Sequence, residues 1–181
     1  MASPFSLTAL TAPVSDRDHI WGPETAPVTL LEYGDYECPD CGKAFFVVKE
    51  LRQLAGDVFR FAFRNFPLMQ KHRHAERAAE AAEAAGAQGR FWEMHDILFQ
   101  HQQALGDAHL IEYAAMLKLD TERFRSELAS HTYAGRVGED IASGIRSGVQ
   151  GTPTFFLNDE RYTGPPDVES LLAAIEQAAE S

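Results

Sequence analysis

Between His72 and about Ser147 the chain contains no proline, and Ala, Glu, Leu and Arg dominate it. So long a run of good helix formers, unbroken by the residue that most strongly ends a helix, predicts a helical block and excludes an all-β fold. Within it, "HAERAAEAAEAAGAQG", "RFWEMHDILFQHQQ", "DAHLIEYAAMLKL" and "DTERFRSELASH" read as successive helices, with a further one over Tyr133–Ser147. The breaks fall at Gly86–Gly89, Gly106–Asp107 and Leu119–Asp120, with Asp107 and Asp120 as the expected N-caps. Phe91, Trp92, Met94, Leu98 and Phe99 form an expected core stripe. The acids around Glu76–Glu83 predict a solvated helix face, and His72, His74, His95 and His101 are expected to be solvated or capping.

Strand signals flank this block. "PVTLLEYG" is a short apolar, partly β-branched run ending in glycine, and "VFRFAFRNFPL" alternates Phe59, Phe61 and Phe63 with Val58, Arg60, Ala62 and Arg64. Between them "CGKAFFVVKELRQLAG" carries helical spacing and closes on Gly56. Beyond the block, "GTPTFFLN", a turn at "NDE" and "RYTG" predict a hairpin, and "PDVESLLAAIEQAAE" an amphipathic helix. Residues before about Pro27 read as a loose arm with one short edge strand near His19–Trp21. The expected architecture is an α/β sheet protein with an all-helical insertion. At 181 residues the expectation is a single domain, residues 1–181, with sheet parts about 18–66 and 149–181 and the insertion about 67–148.

The formal net charge of -11 argues against nucleic acid as the main partner, because a polyanion is repelled at long range. No apolar run approaches a membrane span, so no membrane insertion is expected. The opening "MASPFSLTALTAPVSDRDHIW" lacks a basic segment followed by a long apolar core, which predicts a cytoplasmic protein. In that compartment a pair of cysteines is expected to be catalytic or metal-binding rather than a permanent staple.

Both cysteines lie in "DYECPDCGKAF". Cys38 stands where a helix N-cap belongs, Pro39 at the first helical position, and Cys41 at the third. A thiolate on Cys38 would meet the positive end of the helix dipole and backbone N–H groups, which stabilise it. Asp35, Glu37 and Asp40 oppose that effect, since a nearby negative charge disfavours a thiolate. Pro39 and Asp40, the two residues between the sulfurs, are therefore the expected tuners. Zinc is the alternative use of such a pair, but it needs two further ligands, and only His72 and His74 stand near in sequence, without knuckle-like spacing. In "GTPTFF", Pro153 removes a ladder donor at the start of an aromatic strand. A cis Thr152–Pro153 bond would expose main-chain groups of Thr152 to another extended chain, while a trans proline opening an edge strand remains the alternative.

"LLEYGDYECPDC", "FRNFPL", "HRHAERAAEAAEAAGAQGRFWEMHDILF" and "GVQGTPTFFLNDERYTG" together resemble the DsbA-like thiol–disulfide oxidoreductases of the thioredoxin superfamily. The resemblance implies a thioredoxin-like fold with a helical insertion, and an enzyme that exchanges a Cys38–Cys41 dithiol or disulfide with protein or small-molecule disulfides. It makes Cys38 the attacking cysteine, Cys41 the resolving one, and Pro153, with Thr152, the cis-proline element that holds substrate. It implies no cofactor, a disulfide- or dithiol-containing protein substrate, and a separate redox partner. It also gives a role to Glu32, an acid inside an otherwise apolar strand: proton exchange with Cys41, from a buried position where desolvation favours the neutral acid. Relatives often carry His, Tyr or Phe at the place of Asp40, and the acid there predicts a less oxidising, reductively leaning pair. The rival reading is a non-catalytic peptide-binding or redox-sensing module, with zinc held through the cysteines.

Overall fold

The computed structural model describes residues 5–181, the first three of these through their backbone alone. Its strands are β1 (Phe5–Ala9), β2 (His19–Trp21), β3 (Val28–Gly34), β4 (Phe59–Asn65), β5 (Thr154–Leu157) and β6 (Glu160–Tyr162). Its helices are α1 (Pro39–Ala55), α2 (Ala75–Gly86), α3 (Phe91–Gln100), α4 (Asp107–Met116), α5 (Thr121–Ala129), α6 (Ala134–Arg146) and α7 (Val168–Ala179). The chain divides into two units. The first takes in the described residues up to Gly34, Lys43–Arg64 and Ser143–Ser181; the second is Asp35–Gly42 with Asn65–Ala142.

The first unit holds the sheet, in the order β1-β6-β5-β3-β4-β2. β3 lies inside it, and Leu30, Leu31, Glu32 and Tyr33 are all buried, so both of its faces are covered and its near-continuous apolar sequence is explained. β5 runs antiparallel to β3, with Glu32 opposite Phe155 and Tyr33 opposite Thr154. The β5–β6 hairpin turns on Asn158 and Asp159, whose φ values of 46° and 70° are those of a primed two-residue turn. Asn158 Oδ1 also accepts from Thr29 N–H at 2.8 Å, fixing the turn to the neighbouring strand.

Two features depart from the sequence expectations here. The arm before Pro27 is not loose throughout: its Phe5–Ala9 stretch pairs antiparallel with β6 and forms one sheet edge. β4 was expected to bury one aromatic face, yet Ala62 and Arg64 on its other face are buried as well. The Arg64 guanidinium makes five hydrogen bonds, two to Asp18 and one each to Ala12 O, Pro13 O and the Tyr33 hydroxyl, one for each of its N–H groups. Burial opposes that charge, but the bonds to Asp18 and Tyr33 outweigh it and raise the pKa, so Arg64 stays ionised.

The second unit is helical, as the proline-free block predicts. α2 corrects the expectation of a solvated acidic face. Glu80 and Glu83 are buried, because an alanine-rich helix is thin enough to be covered on most sides. Each acid finds a donor: His131 Nδ1 for Glu80 at 3.0 Å, and Asn65 Nδ2 for Glu83 at 2.9 Å. Asp120 caps α5 as expected, accepting from Arg123 N–H. Asp107 instead occupies the first helical position of α4, after Gly106, and its carboxylate is taken by Arg77 at 2.9 Å. His95 is buried rather than solvated, within the core stripe of α3. No helix among the described residues is long and apolar enough to cross a membrane.

Candidate active site

Helix α1 begins at Pro39, so Cys38 occupies its N-cap position and Cys41 its first turn. The first helical hydrogen bond runs from Gly42 N–H to the Cys38 carbonyl at 3.0 Å. Pro39 is tolerated at this point because its missing N–H has no helical acceptor to lose. Cys38 is 6% exposed and Cys41 0%, while Pro39 and Asp40 between them are exposed. Both cysteines are thus buried, Cys41 the more completely.

The residues just before the pair are fixed by an unusual use of acids. Asp35, only 1% exposed, accepts from Glu37 N–H at 2.8 Å, Cys38 N–H at 3.2 Å, Leu68 N–H at 2.8 Å and His72 Nδ1 at 2.7 Å. Glu37 accepts from His74 N–H at 2.7 Å. Two of the three acids expected to crowd Cys38 are thereby engaged with main-chain donors, and they tie the cysteine turn to the segment carrying "HRH". A carboxylate with this many donors fixes the backbone of the turn that carries Cys38. Asp40 is exposed in the first turn of α1.

Between these acids Tyr36 is buried against α3. Its ring lies 4.8 Å from that of Phe99 and 5.5 Å from His95, and its hydroxyl and His95 Nδ1 share a hydrogen bond of 3.0 Å. Gln102, two residues beyond α3, donates from Nε2 to the carbonyls of Tyr36 (2.9 Å) and Cys38 (2.8 Å). Sequence reading gave no role to Tyr36 or Gln102 and expected His95 to be solvated or capping. An aromatic between two acids was their only local trace, and nothing in "FQHQQ" distinguishes Gln102 from Gln103.

Glu32 and the Thr152–Pro153 pair belong to the first unit. Glu32 sits within β3 at 2% exposure, a depth where an acid is rare. Gly34, two residues on, has no room for a side chain, since a Cβ there would collide with the Phe63 ring and lie 2.9 Å from Glu32 Oε1. The Thr152–Pro153 peptide bond is cis. Because Thr154 pairs with Tyr33, the proline stands next to the end of β3 from which the chain runs on to the cysteines. Pro153 also lines a cavity of about 310 Å³ with Thr154, Phe155, Arg161, Tyr162 and Thr163 among others. Among the described residues no group of three or more His, Cys, Asp or Glu is placed to hold a metal ion.

A family model described as Thioredoxin matches residues 15–177. Among curated proteins, the Na(+)/H(+) antiporter NhaA 3 of Salinispora tropica is 50% identical over 170 residues, 93% of this chain and 26% of the antiporter. The Na(+)/H(+) antiporter NhaA of Herminiimonas arsenicoxydans is 45% identical over 159 residues, 88% of this chain and 25% of that protein. The chain thus spans about a quarter of the length of these curated relatives. Among solved structures, oxidised BdbD from Bacillus subtilis is 24% identical, with a TM-score of 0.85 over 96% of this chain and 99% of that one. A thioredoxin-like oxidoreductase from Silicibacter pomeroyi is 25% identical, with a TM-score of 0.81 over 92% and 95%. Alpha-DsbA1 from Wolbachia pipientis is 18% identical, with a TM-score of 0.77 over 94% of each chain. The DsbA-like, thioredoxin-like fold with a helical insertion is the fold of this chain.

Proposed function

This chain belongs to the thioredoxin family, and from that premise we propose that it is a thiol–disulfide oxidoreductase acting on protein disulfides or dithiols. The observation that carries the reading is the placement of Cys38 at the N-cap of α1 with Cys41 one turn into the same helix. A sulfur at a helix N-terminus is favoured as thiolate, the nucleophilic form.

In the reductive direction the Cys38 thiolate attacks one sulfur of a substrate disulfide. The substrate S–S bond breaks, its other sulfur leaves as thiolate and takes up a proton, and a mixed disulfide forms. Cys41, having lost its proton, then attacks Cys38, and the substrate's second sulfur leaves and is protonated. Two electrons pass from the Cys38–Cys41 dithiol to the substrate, and a separate redox partner restores them. Glu32 is the group we assign to take the Cys41 proton. Thr152 and Pro153 are assigned to hold the extended substrate chain. A reductive leaning rests on the charge of Asp40 and suits a reducing compartment such as the cytoplasm.

Replacing each cysteine by serine tests the scheme. Cys41→Ser should accumulate a mixed disulfide between Cys38 and a disulfide-bonded protein substrate, seen as a covalent adduct lost on reduction. Cys38→Ser should form no adduct and reduce nothing. Equal activity of Cys38→Ser and the parent would refute the assignment.

A further inference from the structure

The main chain around Cys38 is held from outside its own helix. The side-chain amide of Gln102 owns two N–H groups, and the two carbonyls they meet, Tyr36 O and Cys38 O, lie on either side of Cys38's own N–H. The Cys38 carbonyl also receives Gly42 N–H, so both of its acceptor positions are in use. Two peptide planes, the one after Tyr36 and the one after Cys38, are thereby directed at one amide. Together they restrain the backbone torsions of Glu37 and Cys38 that lie between these planes, and with them the direction in which the Cys38 sulfur leaves the chain.

Gly42 supplies a second, independent observation. Glycine in the first turns of a helix loses more entropy on folding than alanine and packs nothing. Here a Cβ would lie 2.9 Å from Gln102 Cδ and in harder collision with its Oε1. The glycine leaves open the space that the Gln102 amide fills. Its neighbour Tyr36 is anchored to α3 through Phe99 and His95, so the segment Tyr36–Cys38 and Gln102 are fixed to the same part of the helical unit.

We infer that Gln102 is a positioning residue for the nucleophile Cys38, acting through its bonds to the Tyr36 and Cys38 carbonyls, and that Gly42 is the glycine that admits it. This rests on the oxidoreductase reading for the role of Cys38, but the clamp can be tested without it. The assay is the reaction of the Cys41→Ser protein with a small aromatic disulfide, followed over pH. It reports separately the pH at which the Cys38 thiol ionises and the limiting rate of the fully ionised sulfur.

Gln102→Ala and Gln102→Met, which keep no donor, should each lower the limiting rate by about tenfold, as expected when a reacting atom loses its fixed orientation. Gln102→Lys, which retains an N–H donor of similar reach, should stay within about threefold of the parent. Gly42→Ala should slow the reaction in the parent by a factor comparable to Gln102→Ala, yet by less than about twofold once Gln102 is already alanine. Limiting rates within about twofold of the parent for both donorless variants, or additive effects of Gly42→Ala and Gln102→Ala, would overturn the clamp. Should the parent react with the aromatic disulfide but exchange with no protein disulfide, the functional reading fails while the clamp stands.

Discussion

Asp40 and Glu32 are the residues on which single substitutions should show the chemistry most directly. Asp40 is exposed in the first turn of α1, so water screens its effect on Cys38 and the effect is modest. Asp40→His should let Cys38 ionise at a pH lower by on the order of one unit or less, and should raise the reduction potential of the pair, measured against a glutathione buffer. A shift of either quantity in the opposite direction would remove the basis for a reductive leaning. Glu32 is buried in β3, and the role proposed for it there is local proton transfer with Cys41. Glu32→Gln should slow resolution of the mixed disulfide by roughly tenfold or more and flatten its dependence on pH, as read in single-turnover release of substrate thiol. An unchanged profile would leave Glu32 with no part in the exchange.

At the scale of elements, β4 shows how a strand with arginines on one face can still be buried on both. Arg64 carries its charge into the sheet unit because Asp18, the Tyr33 hydroxyl and two carbonyls between β1 and β2 surround it. The pair with Asp18 is held at 2.8 Å and nearly dry on both sides. Breaking such a pair leaves an uncompensated buried charge, so Asp18→Ala should destabilise the fold by about 3–5 kcal/mol in urea unfolding. The double variant Asp18→Ala with Arg64→Met should recover a large part of that loss. If Asp18→Ala alone changed stability by less than about 0.5 kcal/mol, the ion pair would be no more than a surface contact in energetic terms.

For the molecule as a whole, one buried acid of the helical unit, Asp140, makes stability depend on pH. Asp140 has its pKa pushed up from 3.8 to about 6, chiefly by burial, with Glu83 adding to it; Arg136 and the Asn65 N–H pull the other way. The folded state therefore holds the proton more tightly than the unfolded chain does. The stability this confers is fully present below about pH 3.8 and is lost as pH rises through about 6. Asparagine at this position is neutral throughout and can still accept from Asn65 N–H. The stability of Asp140→Asn relative to the parent should thus rise between pH 4 and pH 7, by on the order of 1–3 kcal/mol, measured by urea unfolding at several pH values. A difference that stays flat or falls over this range would mean that Asp140 does not hold its proton in the folded state.

The sequence by itself determined the parts of this protein that depend on local chemistry. The proline-free block had to be helical; Pro39 could stand only at the start of a helix, which puts Cys38 at its N-cap; and the dipeptide Asn158–Asp159 could turn a hairpin because those residue types tolerate positive φ. The cis Thr152–Pro153 bond was not decided by its own residues, which left a trans proline open; the family resemblance implied it. What only the tertiary structure decided is where charges go. Glu80 and Glu83 have the local pattern of a solvated helix face, and Arg64 that of an exposed strand face, yet all three are buried, because their partners His131, Asn65 and Asp18 are remote in sequence. Gln102 is the extreme case: its bonds to Tyr36 and Cys38 span more than sixty residues, and a glutamine beside two others carries no sign of them. Periodicity reports a residue's neighbours along the chain, whereas burial of a polar group is permitted by donors and acceptors that only folding brings within 3 Å.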